Sequence, residues 1–346
     1  IQAFFGENYK TIENTGTYLS LRGPENIQLG FHLAPANIFC KKLFETSCAG
    51  EFLDCWNEMF TGYETASYGC EDDIFSHHGL TPVPAFYRER KSALKNPAND
   101  IIRPEDIRGI IHTHSRWSDG VNTIEEMAKA AKEMRMEYLV ISDHSKTAAY
   151  AQGLSEERVA QQHKEINALN EKLAPFRIFR SIESDILGDG SLDYPNNILA
   201  TFDFVIASIH SNLYMSEEKA MSRLLRAIEN PYTSILGHLT GRLLLSRNGY
   251  PVDYRRIIDA CAANDVVIEL NSHPRRLDMD WRQIGYALEK GVLISIDPDA
   301  HDVTAFNDTR YGVLAAQKAG LPSSSNLSSF SLSEFCNWVK KQQSKR

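Results

Sequence analysis

The sequence has few cysteines, no long apolar run, and no serine or cysteine nucleophile in a recognisable setting. Its 346 residues include six cysteines without C-x-x-C spacing, which is typical of reduced thiols in a cytosolic protein rather than of a disulfide framework. No segment approaches the roughly 18 apolar residues that span a bilayer. No basic-then-apolar leader appears at the start, but residue 1 is Ile and not Met, which is consistent with a fragment or a processed form. We therefore expect a cytoplasmic protein without a membrane segment.

Positive charge is also scarce, above all in the first third of the chain. The net charge is -8, and residues 1–108 hold 10 basic against 15 acidic side chains. Non-specific affinity for a duplex comes mostly from Lys and Arg that neutralise phosphates, so this segment is not predicted to grip DNA on its own. With 42% hydrophobic and 24% charged residues, the chain can nevertheless bury a globular core.

Seven short apolar runs rich in Ile, Val and Leu follow one another in the second part of the chain. Each has the composition of a buried parallel strand. Amphipathic segments such as TIEEMAKAAKEM and SEERVAQQHKEINALNEKL separate most of them, and several begin with Ser, Thr or Asp, which cap helices. The runs are GIIHTH (109–114), YLVISDH (138–144), IFRSIES (178–184), FVIASIH (204–210), SILGHL (234–239), VVIELNS (266–272) and LISIDPDAH (293–301).

This alternation predicts an α/β fold with parallel strands. Polar residues recur where the strands end, which favours a closed barrel over an open sheet, and seven runs predict an irregular seven-stranded (β/α)7 barrel over residues 105–346. The segment SLSEFCNWVKKQQSKR predicts a closing helix with a frayed basic end. Residues 88–104, with Asn and Pro amid charges, predict a linker.

Residues 1–87 are less regular and predict a small N-terminal α+β domain. The segments TGTYLSL and IQLGFHLA predict a hairpin, and ANIFCKKLFE and GEFLDCWNEMF predict two helices.

Imidazole and carboxylate groups collect at the carboxyl ends of the predicted strands, which meet at one mouth of a barrel. Residues two apart on a strand point to the same side, so His112 with His114, and Asp299 with His301, are predicted to face one centre. Buried ionisable groups are costly unless a metal neutralises them, so this set predicts two or three divalent ions, with Glu183 as a bridge. The nine candidate ligands are His112, His114, Asp119, His144, Glu183, His210, His238, Asp299 and His301.

The remaining histidines and the basic residues complete the predicted mouth. Six basic residues follow predicted strands, and Arg116, Lys146 and Arg276 are the candidate phosphate contacts. His273 follows the sixth strand and is a candidate outer contact. The others are predicted to be surface or packing residues: His32, His77, His78 and His163.

Divalent ions beside cationic loops favour hydrolysis of phosphoesters. The ions would lower the pKa of bound water toward about 7 and stabilise the leaving oxygen. The chief chemical alternative is amide or amidine hydrolysis by a binuclear barrel, which usually has eight strands and often a carboxylated lysine where this chain has Glu183. The donor set accommodates Mn²⁺, Zn²⁺ or Fe²⁺.

Six motifs together resemble the PHP (polymerase and histidinol phosphatase) superfamily of metal-dependent phosphoesterases. They are HTHSRWSDG (112–120), ISDHSK (141–146), SIESDIL (181–187), ASIH (207–210), GHLTGRLL (237–244) and DPDAH (297–301). The resemblance covers all nine candidate ligands and implies an irregular seven-stranded barrel with up to three zinc or manganese ions. Catalytic roles are implied for His112, His114, Glu183, His210 and Asp299. One ion would be held by His112, His114, Glu183 and Asp299, a second by Asp119, His144 and His301, and a third by Glu183, His210 and His238.

A narrower resemblance is to the C-terminal PHP domain of bacterial and archaeal family X DNA polymerases, carried by G-L-S-E-E-R, Y-P-V-D and R-L-D-M-D-W as well. Residues 1–87 resemble the second half of that family's palm and a thumb. Where the palm has its third metal-binding carboxylate, this chain has Gly30, and the first two carboxylates would lie upstream of Ile1. This departure predicts a degenerate or truncated palm and argues against nucleotidyl transfer.

The resemblance implies a manganese-stimulated 3'-5' exonuclease or 3'-end-processing enzyme of DNA repair, with DNA 3' ends as its partners. A small-molecule phosphomonoesterase, such as a histidinol phosphate or nucleotide phosphatase, is the alternative, because the same metal chemistry serves both. A third hypothesis is a non-catalytic docking module. The presence of all nine candidate ligands argues against it.

Overall fold

The computed structural model describes residues 2–5, 8–61, 67–95 and 100–346. The chain divides into two compact units, residues 1–99 and residues 100–346. Among the described residues, no helix is both long and apolar enough to cross a bilayer.

The first unit combines a small antiparallel sheet with short helices. Strand β2 pairs with both β1 and β3, so the predicted hairpin is present. Its core is largely aromatic, with Phe44, Phe52, Trp56 and Phe75 fully buried. The strands are β1 (Lys10–Asn14), β2 (Tyr18–Arg22) and β3 (Gln28–His32). The helices are α1 (Gln2–Phe5), α2 (Phe39–Ser47), α3 (Gly50–Met59), α4 (Glu71–His77) and α5 (Ser92–Lys95).

The segment predicted as a linker is mostly packed into the two units. Arg88 is 3% exposed, and its guanidinium donates to the Val83 carbonyl at 2.8 Å and pairs with Glu71 at 2.5 Å. Its charge therefore marks a paired buried group and not a solvated linker. Ile102 is buried in the second unit and its N–H donates to the Leu321 carbonyl. Residues 96–99, which include the predicted linker residues Asn96, Pro97 and Asn99, lie outside the described part of the chain.

The second unit contains parallel strands in the positions of all seven predicted runs. The third run is divided into two short strands, which belong to different sheets. One sheet has the order β4-β5-β6 and the other β11-β10-β9-β8-β7. The strands are β4 (Gly109–Ile110), β5 (Tyr138–Ile141), β6 (Arg177–Arg180), β7 (Glu183–Asp185), β8 (Val205–Ser208), β9 (Thr233–Leu236), β10 (Val267–Asn271) and β11 (Ile294–Asp297).

Isolated parallel bridges join the edges of these two sheets. Thr113 bridges Ala300 beyond β4 and β11, and His144 bridges Glu183 beyond β5. The second unit is thus an α/β fold of parallel strands whose carboxyl ends are connected on both sides. All four of these bridging residues are candidate ligands or lie beside one.

Helices follow most of the strands. The side chains of Thr123, Ser155, Ser216 and Asp253 each accept a backbone N–H at a helix start, as their sequence positions predict. The helices are α6 (Ile124–Glu133), α7 (Glu156–Leu173), α8 (Asn196–Leu199), α9 (Glu217–Ile228), α10 (Tyr254–Asn264), α11 (Ile284–Glu289), α12 (Thr309–Ala319) and α13 (Leu332–Gln343).

Helix α13 packs against the amino ends of the strands. Phe335 and Trp338 join a buried cluster with Tyr138 of β5, Phe179 of β6 and Phe204. The basic end after α13 is not frayed as predicted, because the Arg346 guanidinium donates to the Phe202 carbonyl at 2.8 Å. An apolar plug therefore fills one end of the strand layer and leaves the carboxyl ends for polar groups.

We expect Phe335→Ala to destabilise the second unit by about 3–5 kcal/mol, because it removes a fully buried ring stacked 4.3 Å from Tyr138. Urea unfolding would measure the change. Leu314→Ala, on the exposed side of α12, is the matched control and should change stability by no more than about 0.5 kcal/mol. Equal effects of the two substitutions would contradict the role of α13.

Candidate metal centre

All nine candidate ligands lie at or beyond the carboxyl ends of strands, except Glu183, which begins β7. The strand-alternation argument for His112 and Asp299 is wrong in detail. Strand β4 ends at Ile110 and β11 at Asp297, and His112 and Asp299 adopt left-handed backbone conformations with φ of 57° and 52°.

Non-glycine residues in that region carry strain and persist where the surroundings fix them. Here two backbone hydrogen bonds do so: the His114 N–H donates to the Ala300 carbonyl at 2.8 Å, and the Ala300 N–H to the His112 carbonyl at 3.1 Å. The two ligand loops thus hold each other in place.

The carboxylate of Glu183 lies at the middle of the cluster. It is 1% exposed, and both of its oxygens face imidazole nitrogens. Its Oε1 lies 3.2, 3.1 and 2.9 Å from the Nε2 atoms of His112, His210 and His238. Its Oε2 lies 2.9 Å from Nδ1 of His144 and 3.7 Å from Nε2 of His114. Five imidazoles on four loops therefore meet at one carboxylate.

Two further carboxylates complete the cluster. Asp119 Oδ1 lies 3.6 Å from Nε2 of His144 and 3.5 Å from Nε2 of His301. Asp299 Oδ1 lies 3.2 Å from Nε2 of His114 and 3.6 Å from Nε2 of His112. The structure brings together all nine of the residues that the sequence selected.

These groups fit divalent metal ions because their buried polar atoms have no other partner. Within the described chain, Nε2 of His112, both ring nitrogens of His114 and of His238, and both oxygens of Glu183 are buried without a hydrogen bond. Such groups cost several kcal/mol each unless they are compensated. Neutral imidazole nitrogens and carboxylate oxygens are ligands for Zn²⁺, Mn²⁺ and Fe²⁺.

Among the described residues, three groups each bring their donor atoms within 4.8 Å of one another. They differ from the sets that the family resemblance implies: Asp299 is absent from the set of His112, His114 joins the Asp119 set, and His144 replaces His238 in the set around His210. The three sets are His114, Asp119, His144 and His301; His112, His114 and Glu183; and His144, Glu183 and His210.

Two buried carboxylates that the sequence analysis missed orient two of the imidazoles. Each contacts the ring nitrogen that does not face Glu183. Glu269 Oε2 lies 2.5 Å from Nδ1 of His112, and Asp185 Oδ1 lies 2.5 Å from Nδ1 of His210. An ionised carboxylate only accepts hydrogen bonds, so each places the ring proton on Nδ1 and leaves Nε2 free to bind a metal. The sequence did offer one indication for Glu269, which is an acidic residue inside the otherwise apolar predicted strand VVIELNS.

A third buried carboxylate, Asp143, fixes the loop that carries Asp119. It accepts hydrogen bonds from Ser118 Oγ at 2.5 Å and from Ser115 Oγ at 2.7 Å. Gly120 is required in this loop, because a Cβ there would lie 2.0 Å from the His114 carbonyl oxygen. The W-S-D-G and D-H-S-K motifs are therefore one structural assembly.

The charges within the cluster shift the pKa values of its members. Burial alone would raise the pKa of Glu183, but the imidazoles of His210 and His112 hold it well below its usual value. Burial, followed by the neighbouring His144 and His301, lowers the pKa of His114 to about 3. Both groups are therefore in the metal-binding protonation state at neutral pH.

The three predicted phosphate contacts differ in their distance from the centre. Arg276 lies beside it, with Nε 3.4 Å from Oδ2 of Asp299. Lys146 instead pairs with Glu156 at 3.6 Å, and the exposed Arg116 donates to the Val121 carbonyl. Among these three, Arg276 alone contacts a candidate ligand in the described structure.

The other histidines lie outside this cluster. His163 is buried on α7 against the Phe202 ring, which is a packing role. His273 accepts a hydrogen bond from the Arg275 N–H through Nδ1. His32, His77 and His78 belong to the first unit.

Metal binding should stabilise the folded chain. At a metal concentration 100 times Kd, we expect about 2.7 kcal/mol of added stability for one site and a corresponding rise in Tm on adding Mn²⁺ or Zn²⁺ to chelator-treated protein. The double substitution His112→Ala/His114→Ala should lose most of this rise, whereas the exposed His77→Ala should keep it. A full rise in the double variant would mean that these histidines hold no metal.

Removing the carboxylate behind His112 should weaken metal binding without removing a ligand. We expect Glu269→Gln to reduce metal affinity about 10- to 100-fold, measured by competition with a fluorescent chelator. Asp259→Asn, which removes a surface carboxylate paired with Lys290, should leave the affinity unchanged. Equal affinities of both variants and the parent chain would show that Glu269 does not tune the centre.

Comparison with known proteins agrees with this site. Residues 111–273 match the model of the PHP domain. The chain is 38% identical over 280 residues to the DNA polymerase/3'-5' exonuclease PolX of Bacillus subtilis, a match that covers 80% of this chain and 49% of that protein. The chain thus spans about half the length of this relative.

Two further matches are to phosphatases. A probable phosphatase of Caldanaerobacter subterraneus is 28% identical over 211 residues, or 57% of this chain and 78% of that protein. A crystal structure of histidinol phosphate phosphatase from Lactococcus lactis, complexed with zinc, L-histidinol and phosphate, is 16% identical with a TM-score of 0.46 and covers 61% of this chain and 94% of that one. Residues 111–273 of this chain thus match the PHP domain, and the chain is related over most of its length to the PolX protein of Bacillus subtilis.

Proposed function

We propose that this chain is a metal-dependent phosphoesterase that acts as a 3'-5' exonuclease or 3'-end-processing enzyme on DNA. The observation that carries the proposal is the set of buried, unpartnered imidazole and carboxylate atoms around Glu183. Bound divalent ions would supply charge neutralisation for a phosphate group and a water of lowered pKa.

The proposed ligands are the nine selected from the sequence, with Mn²⁺ or Zn²⁺ as the metals and two or three ions in all. His112, His114, Glu183, His210 and Asp299 would surround the reacting phosphate. Asp185 and Glu269 hold the rings of His210 and His112 in one orientation, which reduces the reorganisation needed during the reaction. Arg276, beside Asp299, is placed to bind a phosphate oxygen through its remaining N–H groups.

The proposed architecture is a single seven-stranded barrel in residues 105–346. The bridges Thr113–Ala300 and His144–Glu183 support it, because they connect the two parallel sheets at both edges. In this description β6 and β7 are successive parts of one strand interrupted at Ser181 and Ile182. Residues 1–87 are proposed to be a palm-thumb-like domain.

DNA is the favoured substrate because the PolX similarity extends through both units, whereas the matches to probable phosphatases cover about half of the chain. Those phosphatase matches support the second candidate, a small-molecule phosphomonoesterase. These matches are shorter than the PolX match, so the two candidate functions differ in the part that the first unit plays.

Nucleotidyl transfer by the first unit is not part of the proposal. Gly30 lies in β3 opposite β2, and a Cβ at this position would lie 2.5 Å from the Tyr18 hydroxyl. A carboxylate there would require Tyr18 to move. The sheet thus offers no acidic side chain at the position where the polymerase resemblance expects one.

The proposal predicts that the manganese-loaded chain shortens single-stranded oligonucleotides from the 3' end. Oligonucleotides labelled at either end, assayed beside histidinol phosphate and p-nitrophenyl phosphate, would measure this directly. His112→Ala/His114→Ala should reduce the rate at least 100-fold, while His77→Ala should not. Fast monoester turnover with intact oligonucleotides would replace the nuclease by the phosphatase, and full activity in the double variant would overturn both.

A further inference from the structure

Tyr150 is an exposed aromatic residue beside the metal centre. Its side chain is 72% exposed, and its ring centroid lies 6.2 Å from that of His144, a proposed ligand. The phenol also lies within electrostatic reach of Asp185 and Glu183. The ring therefore faces both the solvent and the site where a phosphoester would bind.

The loop that presents Tyr150 is held firmly at both ends. The Thr147 hydroxyl donates to Asp185 and its N–H donates to Asp193, each at 2.7 Å. At the other end, the Leu154 N–H donates to the His144 carbonyl at 2.9 Å. Asp185 also bonds His210, so this carboxylate fixes the Tyr150 loop and a proposed metal ligand together.

Close packing within the loop adds to this rigidity. A Cβ at Gly153 would lie 1.9 Å from the Ser145 carbonyl oxygen, so the two arms of the loop touch at the backbone. Residues 149–151 form a single 3-10 turn that the left-handed Gln152 ends. Tyr150 is thus presented from a fixed backbone, and a group that stacks on it meets a ring that has little conformational freedom left to lose.

An exposed tyrosine on such a loop has no role in the hydrophobic core. A planar group of the substrate next to the bound phosphate would stack on the Tyr150 ring beside the metal centre. Every nucleobase has such a planar aromatic face. A small aliphatic phosphomonoester offers nothing for the ring to contact.

We propose that Tyr150 is a substrate-binding residue that stacks on the base of the 3'-terminal nucleotide while the metal centre holds the adjoining phosphodiester. This inference rests on the proposed exonuclease function. It adds that the chain contacts the 3'-terminal base as well as the phosphate. Stacking is tolerant of sequence, so the contact selects nucleic-acid ends without selecting a base.

The test compares Tyr150→Ala and Tyr150→Phe on two manganese-dependent substrates. One is a single-stranded oligonucleotide with an ordinary 3'-terminal base, and the other ends in an abasic tetrahydrofuran nucleotide. We expect Tyr150→Ala to raise KM about 5- to 100-fold on the first, with a smaller change in kcat, and to have little further effect on the second. Tyr150→Phe, which keeps the ring, should stay within about threefold of the parent chain.

A matched control removes a tyrosine ring far from the mouth. Tyr286 lies on α11 and bonds Asp259 of α10 through its hydroxyl, so Tyr286→Ala should leave KM on both substrates unchanged. Metal content and Tm should match the parent chain in every variant at position 150. Fluorescence of a 3'-terminal 2-aminopurine next to a phosphorothioate linkage gives a binding readout: it should change on binding the parent chain and not on binding Tyr150→Ala.

The outcomes separate this inference from the function on which it rests. If the parent chain hydrolyses monoesters but leaves every oligonucleotide intact, the exonuclease function fails. If the parent chain shortens oligonucleotides but Tyr150→Ala behaves like Tyr286→Ala, or the abasic end is processed with the KM of the ordinary one, the exonuclease function stands and the stacking role of Tyr150 is overturned.

Discussion

The buried carboxylate of Glu183 is the constraint on which the second unit depends. A carboxylate with 1% exposure cannot remain charged in an apolar interior without compensation. Imidazoles from the loops after β4, β5, β8 and β9 surround it within 3.7 Å. Those loops can converge only where the carboxyl ends of parallel strands meet. The strand order, the bridges between the sheets and the left-handed residues His112 and Asp299 therefore all contribute to bringing the imidazoles to Glu183.

The carboxyl-end position of the ligands was predictable from the sequence because strand ends are marked by a change from apolar to polar residues. The seven runs were found, and the nine ligands lie together. Details that depend on the backbone were not predictable: His112 and Asp299 reach the centre through left-handed turns and not through strand alternation, and the IFRSIES run is interrupted between Arg180 and Glu183. No glycine or proline lies next to His112 or within the interrupted IFRSIES run, whereas Pro298 directly precedes Asp299.

Charged residues were the other source of error, because the sequence alone does not show who their partners are. Arg88 stands at the start of the predicted linker, and its guanidinium is buried against Glu71 and the Val83 carbonyl. Glu269, inside the VVIELNS run, and Asp185, directly after the IFRSIES run, were not selected from the sequence, although each orients a histidine ring. The role of a buried charge depends on its partner in the fold, which lies far away in the sequence. His112 and Glu269, for example, are 157 residues apart.

The second unit separates stability from chemistry along the strand axis. At the amino ends, Phe335 and Trp338 of α13 fill the space between strands with apolar rings. These rings stabilise the fold, and backbone strain at this end would serve no function. At the carboxyl ends, hydrogen bonds accepted by Asp143, Asp185 and Glu269 replace apolar packing as the source of order. Such bonds fix direction as well as distance, and a metal centre requires both. The same rigidity extends through Asp185 to the loop of Tyr150, so the parts of the mouth that would meet a substrate are held by the carboxylate network that orders the ligands.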